Sequence, residues 1–257
     1  WRDWSSDVCS SDLCMGVVVL ASGGLLFRWQ RLETQAQGSL AVATSFQERA
    51  DRLRLEVTRA ELLPDVSACV PRVEALRTEV DTESVALGVR LAENGTTTAR
   101  MALRVIRTAK GQASDLQEIL SLRFQDVGSR LLAPSLGAIR RWEAESFDAS
   151  TEEGRLAVQL GGHVEQGRRL LTATGEILNA IQAESQAGPS LKAGWEQVQS
   201  GIRQTLARLE QRLESESEQA RDCLIVSRWG LTRPLVGGSR IQLGSITARW
   251  IPAGRSL

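Results

Sequence analysis

The 257-residue chain has no tyrosine, one histidine (His163), two lysines (Lys110 and Lys192) and only 4% aromatic residues. It has six prolines and four cysteines. So few cysteines in a chain of this length exclude a disulfide-stapled miniprotein, and 42% hydrophobic content excludes a collagen-like or disordered polymer. The 31 basic and 31 acidic residues cancel, which excludes a strongly basic nucleic-acid binder, and no nucleic-acid partner is expected. The signatures of common enzymes are missing: no Gly-x-x-x-x-Gly-Lys-Ser/Thr, no Gly-x-Gly-x-x-Gly, no His-Glu-x-x-His and no Cys-x-x-Cys. A lone histidine allows at most one histidine-centred site. The expectation is a non-enzyme with no cofactor and no catalytic or metal-binding residues.

What the chain has in quantity is arginine, leucine and alanine, unevenly distributed. Residues 1–13 stand apart: Asp3 to Leu13 reads DWSSDVCSSDL, without periodicity, and resembles a translated sequencing-library adapter. The alternative is a genuine Ser/Asp-rich leader. This segment is set aside from fold reasoning, and the natural N-terminus is then expected to be missing. Residues 14–29 follow, with no charge from Cys14 to Phe27 before Arg28 and Trp29. Fourteen uncharged residues are short for a hydrocarbon core, which takes about 17 to 25. Three readings stand: part of an uncleaved transmembrane helix with Trp29 at the interface, the core of a cleaved signal peptide, or a buried soluble segment. The absence of an A-x-A-like cleavage site favours the first.

Residues 30–222 carry 24 basic and 28 acidic residues and repeat apolar side chains at steps of three and four. Ala43, Phe46, Ala50, Leu53, Val57 and Ala60 form one helical stripe; Trp195, Val198, Ile202, Leu206, Leu209 and Leu213 form another. These two segments, Gln30 to Leu63 and Pro189 to Asp222, have matching lengths and are expected side by side. Between them the pattern predicts helices from Pro71 to Glu93 (Val73, Leu76, Val80, Leu87, Leu91 inward), from Thr98 towards Glu145 (Leu116, Leu120, Phe124, Val127, Leu131 inward), and from a Ser150-x-x-Glu153 capping box through Leu160, Val164, Leu171, Leu178 and Ile181. Breaks are possible at Gly111, with Ser114-x-x-Gln117 as a fresh cap, and at Pro134. The fold class is therefore all-α: an antiparallel bundle of long helices, four to six of them, with a partial N-terminal transmembrane helix. Five helices would leave the chain ends on opposite sides; a mere kink between Pro64 and Pro71 gives four, and a hairpin at Pro134 gives six. Interior glycines at 88, 111, 128, 137, 154, 161, 162, 167 and 175 are expected to loosen the seams and leave room for a pocket.

Residues 223–257 hold five arginines and no acid. Residues 223 to 251 have the length of a second span, but Arg228, Arg233 and Arg240 inside one would each cost about 2.5 to 3.5 kcal/mol. Thr232-Arg233-Pro234-Leu235 resembles the opening of a HAMP linker, and Gly244-Ser245-Ile246-Thr247-Ala248-Arg249 is similar to its central string. A helical region between membrane segments with such a linker resembles bacterial methyl-accepting chemotaxis proteins and HAMP-containing sensor histidine kinases. The resemblance implies an extracytoplasmic sensor bundle on the bacterial inner membrane, a homodimer in contact with the lipid bilayer, and a small ligand or periplasmic partner protein whose binding shifts a helix. A periplasmic coiled-coil scaffold or tether, or a soluble helical phage or secretion component, are the alternatives.

For a ligand, arginine suits a carboxylate because its fork binds two oxygens. The candidates are Arg104 and Arg107 on one helix face, and Arg140, Arg141 and Trp142 near a helix end. His163-Val164-Glu165 is expected on a solvated helix surface. Asn94-Gly95-Thr96 fits a glycosylation sequon but is read as a turn. Cys69 and Cys223, at opposite ends of the expected bundle, are not expected to pair.

Overall fold

The computed structural model describes residues 5–148, 151–229, 240–243 and 246–249. Among these residues five helices carry the architecture: α1 Ser5–Arg59, α2 Leu63–Leu91, α3 Thr97–Ala144, α4 Glu153–Ser185 and α5 Pro189–Trp229. Two four-residue strands, β1 Arg240–Leu243 and β2 Ile246–Arg249, pair antiparallel with Arg240 opposite Arg249. Of the HAMP-like pieces, residues 232–235 and 244–245 lie outside the described residues.

The first interruption falls at residues 60–62, earlier than Pro64. Pro64 sits in the opening turn of α2, where a backbone N–H has no helical partner and its loss costs nothing. Pro71, expected to begin a helix, lies inside α2 on the exposed side, while Val66, Cys69, Val70 and Val73 around it stay buried. Gly111, Ser114 and Pro134 do not break α3, which runs unbroken for 48 residues, about 72 Å at 1.5 Å per residue. The capping box at the start of α4 is not formed: the N-cap is Glu152, without a side-chain cap bond, and Ser150 lies outside the described residues.

The chain divides into two compact units, one ending at Arg123 and the other beginning at Phe124. The boundary falls within α3, so five helices build two three-helix groups by using α3 twice. This replaces the choice between four and six. The first and last segments, expected side by side, each bury their stripe within their own unit.

In unit one, short connections make neighbours antiparallel. Arg49 reaches Glu79 at 2.6 Å and Arg72 pairs with Glu56 between α1 and α2, while Lys110 meets Asp81 at 2.9 Å and Arg77 Gln117 at 2.6 Å between α2 and α3. Running parallel to α1, α3 places Gln112 Nε2 3.1 Å from Asp51 and Arg123 Nε 2.9 Å from the Ala60 carbonyl. All six residues of the Ala43–Ala60 stripe and all five predicted for α2 are buried, together with Ala99, Ala102, Ile106, Ala109, Ala113, Leu116 and Leu120 of α3. The α2–α3 turn closes on α1. Asn94 is buried, its Oδ1 accepts from the Thr96 N–H at 3.0 Å, and its Nδ2 donates to the Leu32 carbonyl at 2.9 Å. The sequon is thus a turn. Before Leu32 the packing stops: every described side chain from Met15 to Arg31 is exposed.

In unit two, α4 and α5 run antiparallel along their lengths. Leu156, Ala157 and Leu160 pack with Ala220 and Cys223 at one end, and Ile139, Trp142 and Val164 with Leu209 and Leu213 further along. On α3 the buried stripe leaves Leu131, 42% exposed, for Leu132. On α4 the expected Leu171 and Leu178 are only half-buried, while the seam runs through His163, Gly167, Thr174 and Ser185.

Candidate functional site

The most densely bonded polar group in unit two surrounds His163, which corrects its placement on a solvated surface. It lies three residues after Leu160 and four before Gly167, in the buried stripe of α4, and its side chain is 1% exposed. The end of α3 supplies Trp142, whose ring stacks on the imidazole at 4.3 Å and 6°. The Trp142 Nε1–H donates to the His163 carbonyl at 2.8 Å, satisfying the indole in the core. Phe147, on the connection after α3, closes the site edge-on at 4.9 Å.

So flat a stack needs the indole close to α4, and Gly167 permits it. A Cβ there would come 2.7 Å from the Trp142 ring and 2.5 Å from Leu213. Of the glycines expected to loosen the seams, this one has a packing reason. A Cβ at 88, 111, 137, 161, 162 or 175 would meet nothing, so those glycines border open space and no interior pocket.

Two carboxylates face the ring. Glu145 Oε2 lies 3.0 Å from Nδ1, and Glu216 Oε2 of α5 lies 3.3 Å from Nε2. Glu216 is buried, whereas the Glu145 side chain is 53% exposed. The other Glu216 oxygen accepts from Arg212 Nε at 2.7 Å. Arg212 also donates to the carbonyls of Glu143 and Glu145, capping the end of α3, and its guanidinium lies 5.0 Å from the Trp142 ring. The sequence pattern puts Arg212 outside the α5 stripe; its long side chain reaches back over it.

No protein-family model, curated protein or solved structure matches the chain.

Of the five residues that the sequence pattern singles out for a ligand, Trp142 alone enters this centre. Arg140 and Arg141 are not part of it; Arg141 is exposed, and its Nε reaches only the Gly137 carbonyl at 3.4 Å. Arg104 and Arg107 come together with Arg100, Leu103 and Thr108 around a depression of about 550 Å³ in unit one. All five belong to α3, so this is an open helix surface with no opposing wall. Among the described residues no group of three or more His, Cys, Asp or Glu side chains is placed to hold a metal ion.

Outside this centre, ionisable groups follow simple surroundings. Burial pushes the Cys69 thiol up, against the lowering pull of Arg72. Glu56 raises Arg72 through their hydrogen bond, and the bond from Arg49 holds the Glu79 carboxyl below its ordinary range. Spacing alone could have found His163, since 160, 163, 167, 174, 181 and 185 keep steps of three, four and seven. Glu216 keeps the α5 steps of three and four through Leu209, Leu213, Ala220 and Cys223 and was findable in the same way, whereas Glu145, on the connection, carries no such signal.

Proposed function

We propose that the chain is the sensor region of a membrane-anchored bacterial receptor, resembling those of chemoreceptors and HAMP-containing kinases, in which helix displacement carries a signal. The observation that supports it is the N-terminal part of α1. From Met15 to Trp29 this helix continues past the Asn94–Leu32 closure with Val17, Val18, Leu20, Leu25, Leu26 and Phe27 all more than half exposed. An apolar surface on all sides of a helix needs an apolar surrounding. Among the described residues no helix is long and apolar enough to cross a membrane, and the uncharged stretch covers about 21 Å against a hydrocarbon core of about 30 Å. The proposal therefore takes residues 14–29 as part of a span whose remainder was displaced by the adapter-like string. The long helices α3 and α5 provide stiff elements for relay, and the reading places the receptor as a homodimer with its bundle outside the cytoplasm.

The genomic locus decides it. The expected result is an apolar, arginine-free span after the bundle, followed by a HAMP linker and an output module; a stop codon soon after residue 222 would sink the reading. On the protein itself, the full chain should float with phosphatidylglycerol–phosphatidylethanolamine vesicles. A chain with Leu20, Leu25, Leu26 and Phe27 changed to Ser should remain in the soluble fraction. Equal flotation of both chains overturns the anchor.

A further inference from the structure

The His163 centre poses a problem of hydrogen bonding that a neutral imidazole between two carboxylates does not solve. A neutral imidazole has one N–H and one lone pair. With the hydrogen on Nδ1, the bond to Glu145 forms, and the Nε2 lone pair faces the Glu216 Oε2 lone pairs at 3.3 Å. Neither of those two buried atoms has a hydrogen-bond partner. With the hydrogen on Nε2, it turns toward Glu216 at 3.3 Å and Glu145 faces a lone pair. An imidazolium donates to Glu145 and sets a positive charge 3.3 Å from Glu216. Charge agrees: Arg212 with two carboxylates leaves one uncompensated negative charge around a buried ring, and a proton on His163 neutralises it.

We propose that His163 is a proton-operated clasp, joining Glu145 on the α3–α4 connection to Glu216 on α5 when its ring is doubly protonated and releasing Glu145 when it is not. The charged groups that face it are Glu145 from the connection and Glu216 and Arg212 from α5; on α4 itself, Glu165 turns outward to Arg169 at 3.2 Å. The direction of release follows from burial. An unpaired buried carboxylate oxygen is costly, whereas a half-exposed one turns to water. The neutral ring therefore keeps its hydrogen on Nε2 for Glu216 and lets Glu145 go. Arg212 still holds the last carbonyls of α3, so the change is local: the Glu145–Asp148 connection loosens, and with it Phe147. Histidine is the side chain whose ordinary titration falls between about pH 5 and 8. In the proposed receptor the proton would be the small ligand and the α3–α4 connection the segment that feels it; this last step alone rests on that reading.

Because His163 is the chain's one histidine, its ring resonances need no assignment. NMR of the full chain in detergent, from about pH 5 to about pH 9, should show one titrating ring, an Nε2–H tautomer at the alkaline end, and a Trp142 indole N–H that shifts with the same midpoint. Amide exchange at residues 145–148, corrected for its intrinsic pH dependence, should rise several-fold across that midpoint. Glu145→Gln and Glu216→Gln should both move the midpoint to lower pH, Glu216→Gln more. A ring that does not titrate, an Nδ1–H tautomer, or a midpoint unchanged in Glu145→Gln overturns the clasp. Glu145→Gln alters a half-exposed side chain, so the test stands even where Glu216→Gln fails to fold. Flotation and the genomic locus are independent of these signals, so the clasp and the receptor reading fail separately.

Discussion

The two units solve the same packing problem with different materials. Unit one closes three helices with alanine, leucine and valine, and keeps its ion pairs at the rim: Arg49 and Glu79 are each 48% exposed, and Arg72 and Glu56 about half. Unit two places an imidazole and a carboxylate within its core beside a fully buried tryptophan. Rim pairs contribute little and break at little cost, whereas a buried polar group constrains everything that touches it. The difference teaches where each unit can respond to its surroundings. Unit one is built to hold shape, and unit two couples three chain segments through groups that change charge.

The largest effect should come from removing the shared surface of that coupling. Trp142→Ala deletes a fully buried ring, removes the indole bond to the His163 carbonyl and uncovers the imidazole, and should cost about 3 to 5 kcal/mol in denaturant unfolding. Hydrogen exchange should place the loss mainly in α4 and α5. Equal loss of protection in α1 and α2 would break the contrast, since it would mean that the continuous α3 makes both units unfold together.

A glycine pair sharpens the comparison at smaller magnitude. Gly167→Ala forces a methyl into Trp142 and Leu213 and should destabilise by about 1 to 3 kcal/mol. Gly111→Ala, in the same kind of helix interior but facing open space in unit one, should stabilise by about 0.5 to 1 kcal/mol by lowering the entropy of the unfolded chain. Thermal melts of the two variants should therefore move in opposite directions. A shift of the same sign in both would remove Gly167 as the contact that fixes the indole.

Much of this was legible beforehand, and for a physical reason. Helical periodicity reports burial, so the Ala43–Ala60 stripe, the α2 stripe and most of the α5 stripe were readable residue by residue. Breaks were less legible, because proline acts through hydrogen bonds it removes: Pro64 removes none that a first turn needs, and Pro71 and Pro134 lie on exposed sides of helices that packing sustains. The division at Arg123 had no composition signal, since α3 crosses it without a turn. The seam of α4 was read in part: Leu160, Val164 and Ile181 are buried as expected, but an apolar search passes over His163, Gly167 and Thr174, although their spacing fits. The candidate arginines were chosen by chemical type, and type does not say which face has an opposing wall. Trp142 entered the site for packing rather than for proximity to Arg140 and Arg141.

The smallest effect tests whether the rim of unit one is as inert as its exposure implies. Glu79 has its carboxyl held low by Arg49. The sign follows from that depression: the stabilisation is present above the unfolded value, about 4.3 for glutamate, and is lost as pH falls through the lower folded value. Because both side chains are half exposed, the pair should contribute under about 0.5 kcal/mol at neutral pH, and salt should erase it at about 1 M, where the screening length is about 3 Å. Glu79→Gln should therefore lower the denaturation midpoint slightly at neutral pH and low salt, and match the parent chain in acid or in concentrated salt. A loss above about 1 kcal/mol that persists in salt would show a rim contact carrying the kind of energy expected only of the His163 centre. The line between a shape-holding unit and a responsive one would then have to be redrawn.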